Sequence, residues 1–332
     1  MDTKILKIDD YSLKYAKNLI DNEELVAFPT ETVYGLGALA TSDSAVKKIF
    51  EAKGRPSDNP LIVHVHKNYD INNLVFTQHD YVKKLQQAFL PGPLTMVYKS
   101  KGVVSKTVSC GLDTLAIRVP SSKGAQEFLE YVNAPIAAPS ANVSKHTSPV
   151  TSEHVFNDLN GKINLILDGG KCEGGIESTV LDVTTETPII LRSGLITKEM
   201  IKGVVGKCEY ANSTQKIVKR SPGTRYSHYM PKCQTALFLA SNLSGAQQYY
   251  NECVNAGKRT YFLCDDGVSK KLNGNVLNLG KTATEVASNL YYNLLYAEKI
   301  CDVLIAIEVK TGSEVDLSIM NRLTKACKSE VK

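Results

Sequence analysis

Residues 25–40 read LVAFPTETVYGLGALA and continue through TSDSAVKKIFEAKGR (41–55) into PSDNPLIVHVH (56–66). The apolar run Leu25–Pro29 has the length of a buried strand. After it, Ser42 or Asp43 caps a segment that carries Ala45, Val46, Ile49 and Phe50 on one face, and Gly54 stops it, so a helix is predicted there. A second apolar run, Leu61–Val65, follows. Strand, helix and strand in close succession are the grammar of an α/β fold. Working outward, strands are predicted at Leu94–Tyr98, Leu115–Val119, Ile136–Ala138, Leu165–Asp168, Thr179–Val183 and Ile189–Arg192. Helices are predicted at Leu13–Ile20, Asp80–Phe89, Ala125–Val132 and Ser152–Asp158. Some neighbouring strands lie too close for a helical crossover, so a mixed sheet is expected.

The pattern changes after residue 207. From Cys208 to Cys233 no periodicity persists, and Lys216, Lys219, Arg220, Arg225 and Lys232 face one acid, Glu209. Breakers stand at Ser221-Pro222-Gly223 and Pro231. Beyond it, strands at Ala236–Ala240, Thr260–Cys264, Val276–Leu279 and Val303–Val309 alternate with helices at Ala246–Ala256, Thr284–Ile300 and Val315–Ala326. The reading is a larger α/β domain over 1–207, a basic linker over 208–234, and a small Rossmann-like α/β domain over 235–332. A length of 332 residues suits two domains. With 43% hydrophobic and 22% charged residues, disordered and fibrous classes are excluded. A net charge of +5 fits a polyanionic ligand such as a nucleotide but not a dedicated nucleic-acid binder.

Several motifs fail on spacing. The eight cysteines form no C-x-x-C pair, so neither a zinc site nor a disulfide framework is expected. The first ten residues lack the apolar region of a signal peptide, and the uncharged stretch 233–251 is too polar to span a membrane; a reduced, cytoplasmic protein is the expectation. Gly35-Leu-Gly-Ala-Leu-Ala40 matches the G-x-G-x-x-A dinucleotide fingerprint, but its helix cap comes only after the last glycine. Gly274 and Gly280-Lys281-Thr282 are one residue too far apart for a phosphate loop. His64 and His66 share one face of a strand without a third metal ligand.

Polar residues that interrupt apolar strands or end them remain: Thr32, Lys53, Arg55, Asn59, His64, Arg118, Ser140, Asn142, Ser148, Ser178 and Arg192. Each has a local explanation. Lys53 suits the negative end of a helix dipole, Arg118 could pair with a carboxylate elsewhere, and Ser140 and Asn142 are turn formers. Together they recur at strand ends, where α/β sheets bind ligands. Three arginines and a lysine among hydroxyl and amide donors suit phosphate. The residues by themselves imply an anion-binding α/β domain for a nucleotide.

Phe28-Pro-Thr-Glu-Thr-Val-Tyr-Gly-Leu-Gly37, Lys53-Gly-Arg55, Asn59-Pro-Leu61, Pro91-Gly-Pro-Leu-Thr95, Ser140-Ala-Asn142 and Ser178-Thr-Val180 resemble, in order and spacing, the YrdC domain. Ser221-Pro-Gly-Thr-Arg-Tyr-Ser-His-Tyr-Met-Pro231 is similar to the linker of the two-domain Sua5 type of threonylcarbamoyl-AMP synthase, apart from Thr224, where methionine is usual. The resemblance implies a twisted mixed sheet and a nucleotidyltransferase that makes threonylcarbamoyl-adenylate and pyrophosphate from L-threonine, bicarbonate or CO2, and ATP with Mg2+. The product would go to a transferase complex that modifies tRNA next to the anticodon; direct tRNA binding stays open. It further implies Thr32, His64, Arg118, Ala138 and Ser178 around threonine. Lys53, Arg55, Asn59, Thr114, Ser140, Asn142, Ser148, Arg192 and His228 would be around ATP, with Lys53 and Arg55 as the catalytic pair and the linker as a lid. Two alternatives are an RNA-binding module without catalysis and a carbamoyl-adenylate-forming domain; the latter's usual zinc-finger segments are missing here.

Overall fold

The structure is a computed structural model and describes residues 2–57, 59–211 and 229–327. These divide into two units: residues 2–144, 149–173 and 177–211 form the first, and 145–148, 174–176 and 229–327 the second.

The strands of the first unit are β1 (Lys4–Lys7), β2 (Val26–Phe28), β3 (Gly35–Leu39), β4 (Ile62–His64), β5 (Val75–Phe76), β6 (Leu94–Ser100), β7 (Thr114–Arg118), β8 (Ile136–Ala137), β9 (Leu165–Asp168), β10 (Thr179–Asp182), β11 (Ile189–Arg192) and β12 (Glu209–Tyr210). They make one sheet in the order β1-β9-β2-β3-β8-β4-β7-β6-β10-β11-β12, with β5 against β6. Its pairings are mixed: β4 runs parallel to β7, whereas β6 is antiparallel to β7 and β11 to β10. All eight strands expected in this region are present, and so are the five helices, to within a few residues.

The local chemistry explains these elements. Ser42 accepts the Ala45 N–H to open the helix Asp43–Lys53, and Gly54 closes it in a left-handed conformation at φ 57°. Asp9 and Ser12 form a reciprocal capping box on the helix Asp10–Asp21. That helix and Lys123–Val132 cover one face of the sheet, burying Leu13, Ile20, Phe128 and Leu129 against Val26, Phe28, Ile136 and Leu165. The sequence predicts no strand between Pro29 and the helix cap at Ser42, so β3 was not foreseen. Its residues 35–39 instead turn back antiparallel to β2. The two glycines of the apparent fingerprint therefore lie in a buried strand: a Cβ on Gly37 would come within 2.9 Å of Ile136 Cγ2 and 3.2 Å of the Val26 carbonyl oxygen. They serve close packing, not a phosphate turn.

In the second unit β13 (Gln234–Phe238), β14 (Thr260–Cys264), β15 (Val276–Asn278) and β16 (Val303–Ile307) are all parallel, in the order β13-β16-β14-β15. The helix Ala283–Ile300, opened by a Thr282–Glu285 capping box, buries Val286, Leu290, Leu294 and Ala297, which recur at helical spacing on one face. Residues 145–148 belong to this unit: His146 Nε2 meets Glu298 Oε1 at 2.6 Å, and the Thr147 hydroxyl donates to the Tyr229 carbonyl at 3.0 Å. Among the described residues no helix is long and apolar enough to cross a membrane.

Replacing Gly37 by Ala should destabilise the first unit by about 1–3 kcal/mol through overpacking. Urea unfolding of the full chain tests this, and an unchanged midpoint would mean that β2 and β3 are not as tightly apposed as described.

Candidate active site

Register brings distant residues into one row. His64 on β4 pairs with Arg118 on β7, Arg118 with Thr95 on β6, Thr95 with Val180 on β10, and Val180 with Arg192 on β11. Directly opposed residues project to the same face, so four polar side chains share it over four strand spacings, roughly 19 Å. The row follows the carboxyl ends of β4 and β7, where an α/β sheet offers its crevice. Its hydrogen bonds are continuous on one side. Ser178 Oγ lies 2.7 Å from Thr95 Oγ1, and Arg192 donates to the Ser178 carbonyl from Nε at 3.1 Å and from Nη2 at 3.0 Å. Arg192, expected beside ATP, is thus joined to Ser178, expected beside threonine.

A second cluster lies nearer the opposite ends of these strands. Chain β8 runs antiparallel to β4, and the Ala138 N–H donates to the Ile62 carbonyl at 2.9 Å. Continuing past it, residues 140–142 turn beneath Lys53, the last residue of its helix. Lys53 Nζ donates to the carbonyls of Ser140 and Asn142, each at 2.5 Å, and reaches Asn142 Oδ1 at 3.4 Å. Asn142 Oδ1 also accepts the Ser140 hydroxyl at 2.5 Å, and Asp158 takes the Val143 N–H at 3.1 Å. Arg55 Nη2 reaches the Asn59 carbonyl at 3.5 Å. Thr114 opens β7, four residues from Arg118 on the same face and about 13 Å away.

Burial sets the electrostatics. Lys53 is 3% exposed; desolvation, then the Arg55 charge, push its ammonium well below its ordinary range, while Asp158 opposes them. His64 sits edge-on to Phe28, and burial followed by the Arg118 charge pulls it down to about 3, so the ring is neutral. Arg118 is 4% exposed, with Nη2 2.7 Å from Glu31 Oε1. The pair is not aligned as a hydrogen bond: Arg118 Nε and Nη2 and Glu31 Oε1 find no hydrogen-bond partner among the described residues.

Of the expected residues, Lys53, Ser140 and Asn142 are joined by hydrogen bonds at the turn that follows Ala138, and His64 and Arg118 are joined by strand register and hydrogen bonds to Ser178 and Arg192. Thr32 is fully buried, its hydroxyl 2.9 Å from that of Thr30. Ser148 is buried in the second unit. His228 and the linker residues 212–228 lie outside the described residues. Glu31, Thr95 and Asp158 were not among the expected site residues. A carboxylate partner for Arg118 was foreseeable from a charge in an apolar strand, but nothing in the order of residues singled out Glu31. A cavity of about 290 Å³ opens beside Pro29, Thr30 and Glu31, lined also by Ser121–Gly124 and Gly169–Glu173.

The Sua5/YciO/YrdC family model, described as telomere recombination, matches residues 18–194, and the model for the C-terminal domain of threonylcarbamoyl-AMP synthase matches 196–327. The threonylcarbamoyl-AMP synthase of Pyrococcus abyssi is 37% identical over 96% of this chain and 95% of its own. That of Bacillus subtilis is 40% identical over 99% and 96%. The crystal structure of the P. abyssi protein complexed with L-threonine matches with a TM-score of 0.88 at 36% identity, covering 98% of this chain and 96% of that one. With both domain models in order and such similarity along nearly its whole length, the chain belongs to the threonylcarbamoyl-AMP synthase family.

Proposed function

We propose that this chain condenses L-threonine, CO2 or bicarbonate, and ATP into threonylcarbamoyl-adenylate and pyrophosphate. The observation that carries the reading is the buried Arg118 guanidinium, whose Nε and Nη2 lack a hydrogen-bond partner among the described residues. Such a group is built for a carboxylate, which it can take with two parallel N–H bonds. The neutral His64 beside it adds no competing charge.

The amine of threonine attacks the carbon of CO2, forming the N–C bond of a carbamate and releasing a proton. A carbamate oxygen then attacks the α-phosphorus, the α–β bridging P–O bond breaks, and pyrophosphate leaves. Threonine supplies the nucleophile, so the protein's task is to hold two anions in contact and to oppose the charge that builds on the phosphates. In this proposal Thr32, His64, Arg118, Ala138 and Ser178 line the threonine site. Lys53 and Arg55 act at the phosphates, and Asn59, Thr114, Ser140, Asn142 and Arg192 hold the rest of ATP. Lys53 has a further task, since its bonds to the Ser140 and Asn142 carbonyls fix the turn that presents their side chains.

Magnesium enters as part of the substrate, MgATP. Among the described residues no group of three or more His, Cys, Asp or Glu could hold a metal, so phosphate oxygens and water would supply its ligands. The adenylate is a reactive mixed anhydride, and its threonylcarbamoyl group would pass to tRNA through a separate transferase complex.

Pyrophosphate release from ATP should require both threonine and bicarbonate; release that ignores threonine would defeat the reading. Arg118→Lys, which keeps the charge but loses the fork, should weaken threonine binding about 10- to 100-fold and leave ATP binding nearly unchanged, as measured by calorimetry. The pH dependence of stability follows from His64. Its pKa is about 3 in the folded chain and roughly 6.5 when unfolded, so in that window only the unfolded chain binds the proton. The stabilisation is therefore complete above the unfolded value and is lost as pH falls, by up to about 1.4 kcal/mol per pH unit. His64→Gln should flatten the slope of urea stability between pH 6.5 and 4.5; an unaltered slope would exclude His64 as its source.

A further inference from the structure

The proposed mechanism gives no task to Glu31, a largely covered acid beside Arg118. Glu31 follows β2, in the polar stretch that precedes β3. Its side chain is 11% exposed, its Oε2 accepts the Ser121 N–H at 3.1 Å, and its Oε1 stands 2.7 Å from Arg118 Nη2 without forming an aligned hydrogen bond. The carboxylate stands against the guanidinium, yet Nε and Nη2 find no hydrogen-bond partner among the described residues.

We infer that Glu31 is the residue that reads the α-ammonium group of the amino-acid substrate, so that Glu31 and Arg118 together form a receptor for a zwitterion. The inference rests on threonine as the substrate and on Arg118 as its carboxylate ligand. An α-amino acid carries opposite charges on adjacent atoms. Insertion beside the Arg118–Glu31 pair exchanges one imperfect ion pair for two: substrate carboxylate on the guanidinium, and substrate ammonium on the Glu31 carboxylate. The buried charge sums to zero before and after, so no uncompensated ion is created in the low-dielectric interior. A carboxylate ligand without the ammonium would set two negative groups against one guanidinium, and like charges so placed repel. The off-axis geometry of the empty pair fits this use, because an aligned pair would have to be broken before the substrate could bind. Glu31 thereby becomes a substrate-binding, specificity-determining residue, selecting amino acids over hydroxy acids.

The test is calorimetric titration of the full chain with L-threonine and with 3-hydroxybutanoate, the same skeleton lacking the amine. In the wild type, 3-hydroxybutanoate should bind at least tenfold more weakly than threonine. In Glu31→Gln threonine should weaken at least tenfold while 3-hydroxybutanoate is unchanged or tighter, so that the preference collapses. Equal losses for both ligands would show that Glu31 only positions Arg118, and tighter threonine binding would show that it is merely a competing anion; either overturns the inference. If Glu31→Gln loses its thermal unfolding transition, Glu31→Asp carries the test. Withdrawing the carboxylate by one methylene should weaken threonine severalfold without moving 3-hydroxybutanoate, and parallel losses would again overturn it. A wild-type chain that binds threonine and 3-hydroxybutanoate equally well would refute the role of Glu31 while leaving the synthase reading intact. One that binds no threonine would remove that reading as well.

Discussion

A guanidinium nearly sealed inside a sheet dominates the energetics of the site. Desolvating such a charge is expensive, and the cost is tolerable only when an opposite charge and hydrogen-bond acceptors lie at hand. Arg118 is bordered by Ala116 and Ile117 on its own strand and by His64 and Thr95 on the neighbouring ones. Among the described residues Glu31 stands against it as a counter-charge, and the contact is close but misaligned. The surroundings conform to this one constraint. His64 stays neutral, the strands end at that level, and the loop after β2 is polar because it must deliver a carboxylate into the interior.

The Lys53 cluster meets the same problem differently. Its ammonium is also buried, but backbone carbonyls rather than a carboxylate take its protons. A short turn with two carbonyls facing one side would otherwise leave acceptors unsatisfied, and a lysine from a neighbouring helix end satisfies them. Burial lowers the affinity of that ammonium for its proton, so its charge depends on the company of acceptors and anions. A phosphate-bearing ligand would favour the charged form. Structure and electrostatics are thus coupled in one side chain: the group that shapes the turn is the group proposed to meet the nucleotide.

Much of this was legible in the order of residues. Apolar runs such as Leu165–Asp168 and Ile189–Arg192 became strands with the boundaries read from them, because burial on both faces leaves a continuous apolar signature. The long helix Ala283–Ile300 declared itself by the helical spacing of Val286, Leu290, Leu294 and Ala297. Where local reading failed, the cause was tertiary. Gly35–Leu39 has weak intrinsic strand preference and is held as β3 by pairing with β2 and β8 and by a contact surface too tight for side chains. The edge pieces β1 and β12 draw their order from neighbours, parallel to β9 and β11. Residues 145–148 look continuous with the first domain, yet their contacts join them to the second unit.

The sequence by itself determined which residue types were available and their spacing: an alternation of strands and helices, charged residues placed where apolar strands end, and motifs that mark the family. These properties are local or periodic, so they can be read along one dimension. Only the tertiary structure decided which distant residues face one another. Strand register set His64, Arg118, Thr95 and Arg192 in one row, and loop return selected Glu31 from the chain's 34 acidic residues as the partner of Arg118. Pairing across a sheet depends on which strands become neighbours and at what offset, and a chain specifies that only when the whole core packs at once.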